Sequence, residues 1–241
     1  MVQDNYRFIS FPCDFCSDNC VLTGSKSNIC DKLVQYNVAV LERQLERMTL
    51  EDALIYFRNT INLNVKGVVQ NPIRNYVICA NHCSYADPIL ILLAMQKLGI
   101  DISNTAIVVA TEVTQKFPEF CKGFECISVD RVNNPMRAIY DIEERAVGKN
   151  IILFPEGTRS RTGKLNSLKS GVGQISTDMN LPVLPVYIKG AYKFWNAAML
   201  IPRAGSDIEV DFLNIIEPSN RKQMTKDLYN VLKEKENEYS C

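Results

Sequence analysis

The sequence predicts an α/β fold: a single domain with a largely buried mixed sheet flanked by helices, preceded by an N-terminal helical pair. Three observations carry that reading. Short apolar runs rich in Val and Ile recur between helix-like stretches beyond residue 62. Two segments ahead of them show helical rather than strand periodicity. A chain of 241 residues, 46% hydrophobic and 22% charged, suffices for one sizeable core and has ordinary globular composition.

Residues 1–30 show little periodicity and read as an irregular, cysteine-containing lead-in, and 31–62 as the helical pair. In the first helix, Asp31 to Met48, the residues Val34, Val38, Leu41, Leu45 and Met48 recur at spacings of four and three, which puts them on one face. A shorter helix follows near Glu51–Ile61, with Leu54, Tyr56 and Phe57 as its apolar members. Both are expected to pack on the core rather than on a bilayer. The remaining domain, 63–241, alternates. Strands are expected at Leu63–Val69, Tyr76–Ala80, Ala106–Ala110, Cys126–Val129, Ile151–Phe154, Val183–Ile188 and Ile208–Phe212. Helices are expected at Pro88–Leu98, Pro135–Val147, Ser170–Met179 and Arg221–Glu238. Such alternation argues for a sheet covered on both faces, with functional residues in the loops beyond strand ends.

Composition removes several function classes. Lys plus Arg (27) equals Asp plus Glu (27), so there is no basic footprint of a nucleic-acid binder. No apolar run is long enough to span a bilayer, and Met1–Ser10 does not read as a secretory signal. The expected location is cytoplasmic, peripheral on the membrane face if the substrate is a lipid. Of nine cysteines, Cys13, Cys16, Cys20 and Cys30 cluster. Zinc is one reading of them. Only the first pair has ligand spacing and no His lies nearby, so free thiols are expected and no metal.

Two segments carry chemistry. The first is Asn81-His82-Cys83-Ser84-Tyr85-Ala86-Asp87-Pro88, between a strand and a helix. His82 is the only histidine of the chain. A hydroxyl is a poor nucleophile until a base takes its proton, and Asp87 is spaced to hold one ring nitrogen while the other acts. Asp87 before Pro88 also reads as a helix N-cap. The second segment runs from Phe154 to Lys164, Phe-Pro-Glu-Gly-Thr-Arg-Ser-Arg-Thr-Gly-Lys. Two arginines, a lysine and three hydroxyls occupy the eight positions after Glu156. The guanidinium fork fits phosphate oxygens, so an anionic ligand is expected. A Walker A loop is excluded, because five residues separate Gly157 from Gly163 and Leu165 replaces the hydroxyl after Lys164. No Gly-x-Ser-x-Gly elbow occurs.

Together these segments resemble the glycerolipid acyltransferase family, typified by bacterial 1-acylglycerol-3-phosphate acyltransferases. Asn81, His82 and Asp87 match its first block, and residues 154–160 match its third, Phe-Pro-Glu-Gly-Thr-Arg-Ser, throughout. Gly123 to Arg131 is similar to its second block with looser spacing, and Val183–Ile188 around Pro185 to its fourth. The resemblance covers roughly Leu63 to Leu213 and not the cysteine-bearing N-terminus.

It implies roles by position. His82 would be the base and Asp87 its partner. Glu156, Gly157, Thr158 and Arg159 would bind the polar acceptor, Arg131 would add a second cation, and Pro185 would help shape the acyl-chain side. The donor would be acyl-CoA or acyl-acyl carrier protein, serving as co-substrate with no further cofactor. The acceptor would be a lysophospholipid, most simply 1-acylglycerol-3-phosphate, presented at a membrane surface. The same chemistry on another acceptor, such as a lyso-ornithine lipid or a non-lipid hydroxyl or amine, is an alternative. A non-catalytic acyl- or lipid-binding module is another, although pure binding needs neither a base nor its orienter.

Overall fold

The computed structural model describes residues 47–69, 71–199 and 202–239. The lead-in of 1–30, its four cysteines and the helix expected from Asp31 lie outside the described residues, apart from the last two positions of that helix. Within them, α1 (Leu50–Thr60) leads directly into β1 (Ile61–Lys66), followed by β2 (Val77–Ala80), α2 (Asp87–Lys97) and β3 (Thr105–Ala110). Two short helices, α3 (Thr111–Lys116) and α4 (Pro118–Lys122), precede β4 (Glu125–Val129). Next come α5 (Pro135–Arg145), β5 (Asn150–Leu153), α6 (Gly171–Asp178) and β6 (Val183–Lys189). The chain closes with α7 (Ala191–Trp195), β7 (Ser206–Phe212) and α8 (Arg221–Glu238).

The seven strands form one sheet in the order β1-β7-β6-β2-β5-β3-β4. From β6 to β4 every neighbour is parallel. β7 returns antiparallel to β6, and β1 pairs parallel with β7, so the sheet is mixed, as expected. Parallel pairing has a direct consequence for function: β2, β5, β3, β4 and β6 all end on the same edge, and the loops leaving them are neighbours.

The strands read as apolar runs because both faces are covered. On one face, Tyr76, Ile78, Ala80, Leu184, Val186 and Ile188 join one core cluster with α1 and α2. On the other, Val77, Cys79, Ile151, Val183 and Tyr187 pack with α5, α6 and α8. Helix α2 lacks a polar face, since seven consecutive residues from Ile89 to Met95 are buried, which marks a core helix. Helix α1 is amphipathic. Leu50, Ala53, Leu54 and Phe57 face inward, and Thr49 with Asp52 closes a capping box at its start. Phe57 meets the rings of Phe194 and Trp195 at 5.6 and 6.1 Å, so its apolar face packs on protein.

The first strand differs from its sequence expectation. It begins at Ile61, two residues early, and ends at Lys66 instead of Val69. Its extent is set by pairing with β7, from Ile61 opposite Ser206 to Lys66 opposite Asp211. A partner so distant in sequence leaves no local signal. Helices α3, α4 and α7 have no counterpart in the expected elements. At six, five and five residues they are too short to show a 3.6-residue period. No helix among the described residues is long and apolar enough to cross a membrane.

Leu90 lies fully buried within α2. Leu90→Ala is expected to lower unfolding free energy by about 2–5 kcal/mol, the usual cost of a partly collapsed core cavity. Urea denaturation at fixed protein concentration reads that loss.

Candidate functional site

Strand β2 ends at Ala80, and the next residue prepares the turn. Asn81 is buried, its amide N–H donates to the Ile188 carbonyl at 3.0 Å, and its Oδ1 accepts the Ile188 N–H at 2.7 Å. The side chain thus supplies the next pairing to β6, while the backbone is released into the loop carrying His82. An asparagine does this because its amide offers the same donor and acceptor as a peptide unit.

His82 Nδ1 lies 2.8 Å from Asp87 Oδ2. The same oxygen accepts the N–H groups of Cys83 at 2.7 Å and Ser84 at 2.8 Å, and Asp87 is fully buried. An oxygen already accepting two backbone N–H groups serves Nδ1 as an acceptor, so Nδ1 carries the proton and Nε2 keeps its lone pair. The imidazole stacks on Phe154 with ring centres 4.2 Å apart, and its side chain is 18% exposed, enough to meet a substrate. The Asp87 side chain therefore turns back into the loop. The expected N-cap role is not the one observed: α2 begins at Asp87 after Ala86, with no side-chain cap. Ser84 instead accepts the Ala86 N–H and donates to the Trp195 carbonyl.

The second loop is built around Glu156. Its Oε1 accepts the His82 N–H at 2.7 Å and its Oε2 the Asn166 N–H at 2.9 Å, with the residue 3% exposed. Glu156, expected to touch the acceptor, thus stands as a brace between the two loops. A further bond from the Ser160 N–H to the His82 carbonyl, 2.7 Å, ties them again. Gly157 turns the chain with φ of +73°, a backbone conformation that favours glycine, and Thr158 is exposed beside it.

Arg159 lies with its guanidinium 3.6 Å from the centre of the Tyr85 ring. Its Nη1 is buried and has no hydrogen-bond partner among the described residues. A donor so placed is costly unless an acceptor reaches it, which is the condition an anionic ligand satisfies. Arg131 follows β4 on the same edge of the sheet, exposed and without an ion pair among the described residues, with β3 standing between its strand and β5. Pro185 sits inside β6 opposite Cys79, buried in the sheet rather than in the loops.

Burial sets the charge states around the dyad. It pushes the Glu156 carboxyl above the ordinary carboxylate range, partly offset by the two backbone donors. It also raises the Cys83 thiol, with the Asp87 and Glu156 carboxylates acting in the same direction, so Cys83 stays protonated and is no nucleophile. Phe154, Tyr85, Trp195 and the bridging amide of Asn81 were not singled out by sequence reasoning as site-forming. Phe154 and Asn81 lay within the quoted motifs, whereas nothing local marks Trp195, brought in by α7.

Comparison with known proteins gives a consistent picture. The sequence model of the acyltransferase family matches residues 62–189, more than half of the chain. A 1-acyl-sn-glycerol-3-phosphate acyltransferase of Cocos nucifera is 32% identical over 140 residues, covering 55% of this chain and 43% of that protein. A probable 1-acyl-sn-glycerol-3-phosphate acyltransferase of Mycoplasma pneumoniae is 27% identical over 174 residues, 66% of this chain and 65% of that one. The chain thus matches less than two thirds of either relative's length. The crystal structure of the 1-acyl-sn-glycerophosphate acyltransferase PlsC from Thermotoga maritima shares the fold, with a TM-score of 0.62 at 22% identity over 89% of this chain and 84% of that one.

Glu156→Gln leaves one of two backbone N–H groups facing an amide NH₂ and is expected to cost about 1–3 kcal/mol. The cost should depend on pH. A carboxyl raised in the folded state binds its proton more readily there than when unfolded. Its contribution is full below the ordinary carboxylate pKa and declines as pH rises toward the raised value. The stability difference between wild type and variant, from urea titrations across that window, should shrink with rising pH.

Proposed function

The chain belongs to the glycerolipid acyltransferase family, and from that premise we propose that it transfers a fatty acyl group from a thioester to the hydroxyl of a lysophospholipid, most simply 1-acylglycerol-3-phosphate. The observation that carries the proposal is the His82–Asp87 pair at 2.8 Å, held one bond away from the arginine-bearing loop. His82 Nε2 takes the acceptor's hydroxyl proton, and the oxygen attacks the thioester carbonyl. The tetrahedral intermediate collapses with loss of thiolate, which the imidazolium protonates. Asp87 holds the tautomer and steadies the imidazolium. A thioester is already activated, so the scheme requires no covalent enzyme intermediate.

Arg159 receives the acceptor's phosphate. Its Nη1, which has no hydrogen-bond partner among the described residues, and its seat on Tyr85 support that role, and Gly157 and Thr158 belong to the same loop. Arg131 adds positive charge from β4, and Glu156 fixes the loop that presents Arg159. Pro185 acts at a distance, through the packing of β6. The donor is acyl-CoA or acyl-acyl carrier protein, and the reaction takes place at the cytoplasmic face of a membrane holding the lipid acceptor.

His82→Ala is expected to fold and to lower kcat by about 10²–10⁴-fold, the usual worth of a general base. Product mass spectrometry with acyl-CoA and acyl-carrier donors against a panel of lysolipids checks it, and full turnover by the variant would sink the mechanism. Arg159→Ala should raise KM for a phosphate-bearing acceptor about tenfold or more while leaving KM for the donor unchanged, since a charge-assisted contact is worth about 1.5–3 kcal/mol. Steady-state kinetics with each substrate varied in turn separates the two.

A further inference from the structure

The loop from Gly157 to Lys164 has two sides. Arg159 turns toward Tyr85, whereas Thr162, Gly163 and Lys164 wall an open groove of about 1240 Å³ whose inner surface includes Cys83, the residue after His82. The groove exceeds the roughly 300–1,000 Å³ of most small-ligand pockets. It runs over the β6-to-α7 turn and the exposed polar face of β1 and β7, beneath the end of α8.

Its charge is uneven. Among the lining carboxylates, Glu236 pairs with Lys233 and accepts the Leu165 N–H, Glu209 pairs with Lys66, and Asp207 accepts the Asn62 amide. Lys164 and Lys193 are exposed and enter no ion pair among the described residues, and Lys189 lies 4.2 Å over the Tyr239 ring. Three lysines therefore face one carboxylate that has only a neutral partner. The wall is also held in place. Gly163 packs on the Tyr192 ring so closely that an added Cβ would come within 2.9 Å of it, and the Tyr192 hydroxyl donates to the Arg161 carbonyl at 2.8 Å.

We propose that this groove seats the phosphate-bearing end of a phosphopantetheine thioester donor, with Lys164, Lys189 and Lys193 receiving the phosphates. The assignment rests on the acyl-transfer reading and extends it. Acceptor and donor then lie on opposite sides of one loop, and the groove reaches Cys83, the neighbour of His82 in the chain. The groove offers an amide-bearing arm the polar side chains of Asn62 and Asn64 beside apolar surface, and its lysines are separate from Arg159. Phosphopantetheine is common to coenzyme A and to carrier proteins.

The test is the double variant Lys164→Glu/Lys193→Glu. KM for acyl-CoA, for acyl-carrier protein, or for both should rise about tenfold, with KM for the lysolipid unchanged. Which donor responds identifies the source of the phosphate. The preference for acyl-CoA over the phosphate-free acyl-N-acetylcysteamine thioester should fall by the same factor. Calorimetry with free coenzyme A should show binding to the wild type and its loss in the variant. Unchanged KM for both phosphate-bearing donors, or a rise confined to the lysolipid, would overturn the assignment. Absence of transfer by the unsubstituted protein from every donor counts against acyl transfer itself, while coenzyme A calorimetry still decides the groove.

Discussion

A single buried oxygen, Oδ2 of Asp87, organises the site. Three N–H groups converge on it, two from the loop backbone and one from the His82 ring. A carboxylate withdrawn from water needs such compensation, because burial without donors would favour its neutral form. The loop supplies the donors only if it curls back over Asp87. That same curl carries the imidazole across the face of Phe154. Orientation of the base and solvation of its partner are thus one geometric requirement, which accounts for the fixed separation of His82 and Asp87.

The second requirement is that two loops distant in sequence stay in register. Glu156 reaches back to the His82 N–H and forward to the Asn166 N–H, and the Ser160 N–H donates to the His82 carbonyl. These are bonds from backbone to a neighbouring loop, and they hold because β2 and β5 are adjacent and parallel. Parallel strands ending on one edge bring residues separated by 74 positions to hydrogen-bonding distance without a cross-link. The loop that carries Arg159 is thereby bonded to the His82 backbone, and its far side, at Thr162 to Lys164, borders the groove.

Much of the fold was legible in the residues. Val183–Ile188 and Ile151–Leu153 are apolar throughout because helices cover both faces of the sheet, and that burial writes itself into composition. Arg221–Glu238 matched because a helix of 18 residues shows its period several times over. The elements that escaped were those whose cause lies elsewhere in the chain. The bounds of β1 follow its register with β7, and α7 owes its place to Phe194 and Trp195 packing against Phe57.

The sequence by itself determined the chemistry available: one histidine, an aspartate five residues on, and a glycine-bounded loop rich in arginine. These are choices of residue type, and residue type fixes proton affinity, charge and hydrogen-bonding capacity. It did not determine which group faces which partner. Glu156 reads as a ligand contact in the chain and stands as a buried brace in the structure, Asp87 reads both as the partner of His82 and as a helix cap and takes only the first role, and Lys164, Lys189 and Lys193 are unremarkable until β6, α7 and the long loop bring them to one groove. Facing depends on strand order and register, which arise from burial summed over the whole sheet, and no short segment contains that sum.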